Sequence, residues 1–203
     1  GMFLEENNIK KDSLFLKGSE VAKNSVLMND IFTELVQSLS IGDSTFKILS
    51  ALSEAPRELV PSMYWWATNK LWYLNTKPAI ERINQRELLE VIMHRVISLE
   101  PNYDYGGAYR FFGVFYSRIP GVELNQSKTY FEKAISTNEA YFGNQVQMSE
   151  FYYQKSEDKT SFIEQLEYVN SLDVSIGSSN IPENSYYQKR ANELLLQQDT
   201  LFE

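Results

Sequence analysis

The side chains that most often carry catalysis or bind metals are scarce in this sequence. The chain has 203 residues, no Cys and one His, His94. Without Cys there is no thiol nucleophile, no disulfide scaffold and no thiolate metal site, and a single His leaves no His-cluster metal site and little room for a His-based triad. No carboxylate–serine pattern surrounds His94, which sits among Val91, Ile92, Met93 and Val96. The sequence therefore predicts no catalytic residue, no metal and no cofactor, and a structural or surface role for His94.

Carboxylates could still act as general acid and base, but no spacing specifies a pair of them. Glu87 with Glu90, and Glu157 with Asp158, are typical of solvated helix faces and caps. The sequence also lacks a phosphate-binding glycine loop of the Walker type and a dinucleotide fingerprint. An enzyme would need a polar cleft containing carboxylates of perturbed pKa. The sequence therefore predicts a protein that is not an enzyme.

Aromatic side chains are the abundant chemical resource, with 13 Tyr, 12 Phe and 3 Trp. Tyr64, Trp65, Trp66, Trp72 and Tyr73 fall on one predicted helix, where neighbouring positions differ by about 100° and cannot all face one core. Trp65 shares a face with Trp72, and Trp66 shares another with Tyr73. Two interpretations stay open: a second face buried against an adjacent helical hairpin, or an aromatic-lined groove or channel for an apolar ligand or peptide.

Two polar residues stand within the aromatic stretches. Asn69 either ties a backbone group of a neighbouring hairpin or anchors a ligand in an aromatic cleft. Arg110 either forms an ion pair with Glu100 or Asp104, or stacks on a ring or meets a ligand carboxylate. The candidate ligand- or partner-binding residues are Tyr64, Trp65, Asn69, Trp72, Tyr105, Arg110, Phe112 and Tyr116.

Length, composition and charge further limit the classes of fold and function that this chain can have. The length fits one domain or two small ones, and 43% hydrophobic with 23% charged residues is a globular balance. A net charge of −8 disfavours a surface that tracks phosphates, so no nucleic-acid partner is expected. No segment approaches the apolar length of a membrane helix, and Gly1–Glu6 lacks the basic start and apolar centre of a signal peptide.

The elements that position the candidate residues are predicted to be helices almost throughout. Apolar residues recur at three- and four-residue steps over 26–39, and Asp43 or Ser44 predicts the cap of the following helix. Pro61–Asn75 and Tyr105–Ser117 are predicted as aromatic-rich helices. No alternating strand pattern is present, which indicates an all-α fold.

Further signals mark helix starts and close contacts. Asp158 predicts a helix cap, and Asn180–Glu183 matches a capped start with Glu three residues after the cap. Gly177–Ser179 predicts a flexible stretch. Since glycine lowers helix propensity, Gly106, Gly107 and Gly113 are expected to permit close helix approach. These signals predict where helices begin and where two helices touch.

An internal repeat suggests how the helices are arranged. Val96-Ile97-Ser98 followed by Tyr103 aligns with Ala134-Ile135-Ser136 followed by Tyr141, with the same offset at every aligned position. A period of this length is typical of stacked helical hairpins, because one hairpin cannot bury both of its faces. We therefore predict an α-solenoid resembling tetratricopeptide repeats over residues 26–203. Residues 1–25 are predicted as a polar N-terminal segment whose membership of a first helix stays open.

Several sequence blocks occur in a fixed order and carry a family resemblance over residues 26–201. They are Tyr64-Trp65-Trp66-Ala67-Thr68-Asn69 with Trp72, Arg95 through Gly113 with Pro120-Gly121, Tyr130 through Ile135 with Tyr141-Phe142, and Ala191 through Leu195. This order resembles the T-component (TatT-like) family associated with tripartite ATP-independent periplasmic (TRAP) transporters. The sequence departs from the family pattern in its short, polar start without a lipidation Cys and in Gly106-Gly107-Ala108, where members often vary.

The resemblance implies an exported, lipid-anchored, tetratricopeptide-like protein in the periplasm. It implies a docking partner for the solute-binding protein of a TRAP transporter, or a conduit for an apolar small molecule. Contact with the membrane is then expected only through a lipid anchor, and packing of subunits into a homo-oligomer stays open. The alternative is a generic helical-repeat scaffold for protein assembly, such as an outer-membrane lipoprotein that captures nutrients.

Overall fold

The computed structural model of the protein describes Glu5, residues 7–176 and residues 180–203. These described residues form helices, turns and loops without a β-strand, so the predicted all-α class is confirmed. No helix in the described part of the chain combines the length and apolar character that crossing a membrane requires. The expectations for the start of the chain, at residues 1–4 and 6, and for a flexible stretch at Gly177–Ser179 lie outside the described residues.

The residues up to Tyr103 form one compact unit. Its helices are α1 (Asn8–Leu27), α2 (Asp30–Ser38), α3 (Ser44–Ser53), α4 (Val60–Leu74), α5 (Ala79–Asn84) and α6 (Arg86–Leu99). Helix α1 packs along α4, α4 also packs against α6, and α6 packs against α3. The predicted helix Pro61–Asn75 matches α4 closely, and α4 lies at the centre of this unit.

The residues from Asp104 onward form a second compact unit. Its elements are α7 (Tyr103–Arg118), α8 (Leu124–Thr137), α9 (Phe142–Met148), a π-helix (Ser149–Tyr153), α10 (Lys159–Ser171), α11 (Ile181–Leu196) and α12 (Gln198–Leu201). Helix α9 packs against α8, α10 and α11, and α10 packs against α11. The π-helix continues α9 directly, without an intervening loop.

The predicted single helix over residues 26–39 is wrong, because two helices occupy this stretch. Helix α1 ends at Leu27, and α2 begins at Asp30 after a break at Met28 and Asn29. The side chain of Asn29 accepts a hydrogen bond from the backbone N–H of Phe32 at 3.2 Å. A cap of this kind satisfies a free N–H group at a new helix start, so Asn29 starts a second helix.

Two predicted caps are confirmed; at the third, Asn180, the predicted helix start is confirmed but the side-chain cap bond is not formed. Asp43 Oδ1 accepts from Phe46 N–H at 2.8 Å, and Asp158 Oδ1 accepts from Ser161 N–H at 3.0 Å. Asn180 precedes α11 but its side chain makes no cap bond; its Nδ2 donates to the carbonyl of Ala140 at 3.4 Å. Asn180 is buried, and its amide is directed towards a carbonyl inside the unit, because buried carbonyls require donors.

The predicted close helix approach is confirmed at Gly113, where α7 meets α8. A Cβ atom added to Gly113 would lie 2.7 Å from the Phe131 ring. The hydroxyl of Ser127 on α8 also donates to the carbonyl of Gly113 at 2.7 Å. In the aligned repeat positions, Val96 and Ala134 are both fully buried near the ends of their helices. The serial stacking of hairpins into a solenoid stays a prediction.

Candidate functional site

The eight candidate residues divide equally between the two units. Four lie on α4 and four on α7. The α4 residues are Tyr64, Trp65, Asn69 and Trp72, and the α7 residues are Tyr105, Arg110, Phe112 and Tyr116.

Helix α4 distributes its aromatic residues over buried and open faces. Tyr64 and Trp66 are buried in the first unit. Trp72 stacks on Phe15 of α1 with ring centroids 6.3 Å apart. Trp65 is 45% exposed, although its ring meets that of Tyr64 edge-on at 5.1 Å. Burial against neighbouring helices therefore accounts for most of these rings, and Trp65 is the α4 candidate with an open face.

Trp65 borders a groove that runs between α1 and α4. The groove has a volume of about 610 Å³ and is open to solvent. Its lining comprises Leu14, Lys17, Gly18, Val21, Ala22 and Ser25 of α1 and Pro61, Ser62 and Trp65 of α4. Apolar and small residues therefore form most of the groove, and Lys17 is the charged residue in this lining.

A close approach of the two helices forms one side of this groove. A Cβ atom at Gly18 would lie 3.0 Å from Asn69 Oδ1, so α1 and α4 meet tightly here. Asn69 Nδ2 donates to the carbonyl of Trp65, one turn earlier in the same helix, at 2.7 Å. The hydroxyls of Ser25 and Ser62 are 2.9 Å apart and hydrogen-bonded. Within the part of the chain that the structure describes, Asn69 thus bonds within its own helix and not to a neighbouring hairpin.

The α7 candidates begin at an unusual left-handed turn. Asp104, Tyr105 and Gly106 have φ values of 50°, 59° and 77°. Non-glycine residues in this region each cost about 1 kcal/mol or more, so the surrounding contacts must hold the turn in place. The predicted helix Tyr105–Ser117 is therefore helical only beyond this turn.

The guanidinium of Arg110 holds this turn through two other residues. Arg110 Nη2 lies 2.5 Å from Asp104 Oδ2, and Arg110 Nη1 donates to Asn144 Oδ1 at 2.9 Å. Asn144 Nδ2 lies within hydrogen-bonding distance of the carbonyls of Tyr105, at 3.1 Å, and Ala134, at 2.9 Å. Arg110 is 7% exposed, so its charge lies in a largely dehydrated site balanced by Asp104. Of the open interpretations, the ion pair with Asp104 is confirmed, and so is a ring contact, since the guanidinium also lies over the Tyr141 ring.

Stacked rings lie beside the same guanidinium. Tyr105 stacks on Tyr141 with centroids 4.7 Å apart and planes 11° from parallel, and the Arg110 guanidinium lies 4.7 Å from the Tyr141 centroid. Gln147 Nε2 donates to the hydroxyl of Tyr187 at 2.8 Å, and Tyr187 meets Tyr141 edge-on. Burial raises the pKa of Tyr141, against the opposing effect of Arg110, and raises the pKa of Tyr187 further. Both phenols are therefore neutral near neutral pH.

The last two α7 candidates belong to the core of the second unit. Phe112 is fully buried and Tyr116 nearly so. Both rings pack against Tyr130 of α8, at centroid distances of 4.8 Å for Phe112 and 5.6 Å for Tyr116. The contacts of Phe112 and Tyr116 thus support the packing of α7 on α8.

Sequence reasoning missed the residues that complete both sites. Asn144, Tyr141 and Tyr187 were not predicted around Arg110, and Leu14 and Lys17 were not predicted around the groove. Asn144 and Asn184 each donate to a carbonyl of the segment that connects their helix to the preceding one. The recurrence of this asparagine near a helix start was a signal that the sequence contained. For the groove, the available signal was helical spacing of apolar and basic residues on α1.

A second, smaller groove of about 400 Å³ lies on α6, beside Glu87, Glu90 and His94. His94 is exposed, in agreement with the predicted surface role. In the part of the chain that the structure describes, no three His, Cys, Asp or Glu side chains are grouped so as to hold a metal ion. Glu90 is paired with Arg86 at 2.8 Å, so one of its carboxylate oxygens is already engaged.

A comparison with known protein families matches both units of the chain. The family model described as TRAP transporter T-component matches residues 5–202, nearly the whole chain. No curated protein matches the chain. The α1–α4 groove and the Arg110 cluster both lie within the matched range.

Proposed function

Because the chain belongs to the TRAP transporter T-component family, we propose that it is a non-enzymatic docking component that binds the transporter's solute-binding protein at the groove beside Trp65. Family membership associates the chain with a TRAP transporter. The proposal adds the partner, the surface and the absence of catalysis. It also places the protein in the periplasm, held to a membrane by a lipid anchor.

The observation that carries this proposal is the open face of Trp65 above an apolar groove. Tryptophan is enriched among the residues that dominate binding energy at protein interfaces, where it fills a pocket or borders one. Leu14 and Val21 on α1 expose about half of their side chains beside it. Burial of apolar surface contributes about 25 cal/mol per Å², so covering these three side chains favours association.

Binding of an apolar small molecule is the second use of this groove that we propose. Its volume of about 610 Å³ falls within the range of small-molecule sites. The groove is open along its length, however, and small-molecule sites usually enclose most of the ligand. An open groove suits a partner protein better, because the partner supplies the missing wall.

We expect Trp65→Ala to weaken binding of the solute-binding protein from the same organism by at least about tenfold, since truncating a central interface Trp commonly costs this much. Isothermal titration calorimetry with both purified proteins measures the change. Tyr168→Ala is the matched control, because Tyr168 is similarly exposed but lies on α10 in the second unit. Unchanged affinity in folded Trp65→Ala protein, or equal loss in the control, would place the interface elsewhere.

A further inference from the structure

We propose that the groove between α1 and α4 binds an acidic amphipathic helix of a partner protein. The inference rests on the docking role proposed above and specifies the chemistry of the docked element. Three features of the groove carry it: the pattern of side chains along α1, the charge of that helix, and the length and spacing of the lining.

Helix α1 presents a second face that its packing on α4 does not cover. Lys10, Leu14, Lys17 and Val21 follow one another at four-, three- and four-residue steps, so they share one face of the helix. All four are exposed. Basic and apolar side chains therefore alternate along this face, and three of them, Leu14, Lys17 and Val21, line the groove. This pattern suits a partner with both apolar and acidic side chains.

The charge of α1 is opposite to that of the chain. Four lysines against Asp12 and Glu20 give α1 a formal charge of +2, whereas the chain carries −8. Asp12 is occupied by Lys77, with 2.8 Å between Nζ and Oδ2, and this bond lowers the pKa of Asp12. Lys10 and Lys17 make no ion pair with any residue that the structure describes. Lys17 in the groove lining, and Lys10 one helical turn before Leu14, therefore offer two cations to an acidic partner. Complementary charges favour and orient association.

The dimensions and spacing of the groove fit a helix. Its α1 side extends from Leu14 to Ser25, which corresponds to about 16 Å of helix axis, or three turns. Leu14 and Val21 lie seven residues apart, as do Gly18 and Ser25. A seven-residue recurrence matches the packing of a second helix at a shallow angle, with its apolar side chains between those of α1. The small side chains of Gly18, Ala22 and Ser25 leave room for such side chains.

Binding of three designed peptides tests the proposal. Each peptide is long enough for about four helical turns and has the same leucine face, and its flanks carry only Glu, only Gln or only Lys. Fluorescence anisotropy of labelled peptide measures affinity for the full chain at low and at moderate salt. We expect the Glu peptide to bind at least about tenfold more tightly than the Gln peptide, and its advantage to shrink as salt rises.

Charge reversal on the protein supplies the matched variants. Lys17→Glu is expected to reverse the preference, so that the Lys peptide binds more tightly than the Glu peptide. Lys23→Glu is the control, because Lys23 lies on the same helix but outside the groove lining and pairs with Glu20 at 3.7 Å. This control should keep the preference for the Glu peptide, and far-UV circular dichroism verifies that both variants stay helical.

Four results would overturn the inference. Equal affinity for the Glu and Gln peptides would show that the groove does not select an acidic helix. Lack of peptide binding, with the solute-binding protein still dependent on Trp65, would overturn the acidic helix but leave the docking role intact. Binding to phosphatidylglycerol vesicles that Lys17→Glu abolishes, without any peptide preference, would assign the face to a membrane. Self-association that Lys17→Glu abolishes, seen by analytical ultracentrifugation, would make a second copy the occupant.

Discussion

Replacing Arg110 by Ala is expected to lower the free energy of unfolding by about 3 kcal/mol, the effect typical of breaking a buried ion pair by removing one partner. The change leaves the carboxylate of Asp104 without its cation and Asn144 Oδ1 without the donor from Arg110. It also removes the contacts that hold two non-glycine residues, Asp104 and Tyr105, in the left-handed conformation. Urea denaturation followed by far-UV circular dichroism measures the loss.

The matched control is Arg57→Ala in the first unit. Arg57 pairs with Glu100 at 2.5 Å, the same distance as in the Arg110–Asp104 pair, but its side chain is 71% exposed. Exposed ion pairs contribute little, because water screens them and their side chains lose conformational freedom. Removal of Arg57 should therefore cost far less than removal of Arg110. Similar small losses for the two variants would show that the Arg110 cluster does not stabilise the turn.

Replacing Gly113 by Ala is expected to destabilise the protein by about 2 kcal/mol, as overpacking of a filled core does. The new methyl group would lie 2.7 Å from Phe131, whose ring is fully buried and cannot easily move. The Ser127 hydrogen bond to the Gly113 carbonyl fixes the distance between the helices. Helix propensity alone predicts the opposite sign, a gain of about 1 kcal/mol for Ala over Gly.

The sign of the change in thermal unfolding therefore decides whether close packing or propensity dominates at Gly113. Gly121→Ala is a useful comparison, since nothing lies within 4 Å of its added Cβ and its φ of 81° is the sole source of strain there. The loss of stability in Gly121→Ala should be smaller than the loss in Gly113→Ala. A stabilised Gly113→Ala protein would mean that α7 and α8 can separate to accept the methyl group.

Local signals predicted much of the helical framework. Asp43 and Asp158 were identified as caps, and the short polar side chain at such a position needs only the N–H groups of the next turn. Asn29 was not predicted as a cap, because the apolar spacing continues on both sides of it and apolar periodicity alone does not reveal where a helix begins. Asn180 was identified correctly as the residue that precedes a helix, but its buried amide bonds to Ala140, which is distant in the sequence, and does not cap α11.

The left-handed turn could not be predicted from the sequence either, because it also depends on contacts with residues that are distant in the sequence. Tyr105 and Asp104 adopt that conformation through contacts with Tyr141, Asn144 and Arg110, and the first two of these belong to a later part of the chain, beyond α8. Gly106 was interpreted as a site of close helix approach, and this interpretation did not indicate that Gly106 and the two preceding residues would adopt a left-handed conformation.

Of the candidate groove, the sequence predicted the α4 side at Trp65 but not the α1 side. Trp65 was identified because consecutive aromatic residues cannot all face one core, and the structure leaves Trp65 partly open. The opposite wall, on α1, was not identified, because α1 is polar on average and was interpreted as a polar segment. Its apolar residues face two directions: Phe15 packs on Trp72, whereas Leu14 and Val21 line the groove.

The placement of the indole side chains gives each half of the chain its own spectroscopic probe. All three tryptophans lie on α4, while ten of the 13 tyrosines follow Tyr103. Selectively excited indole emission thus reports the melting of residues up to Tyr103, and phenol absorbance reports mainly the rest. Superimposable curves from the two chromophores would indicate a single cooperative transition, and displaced curves would indicate that the halves melt separately.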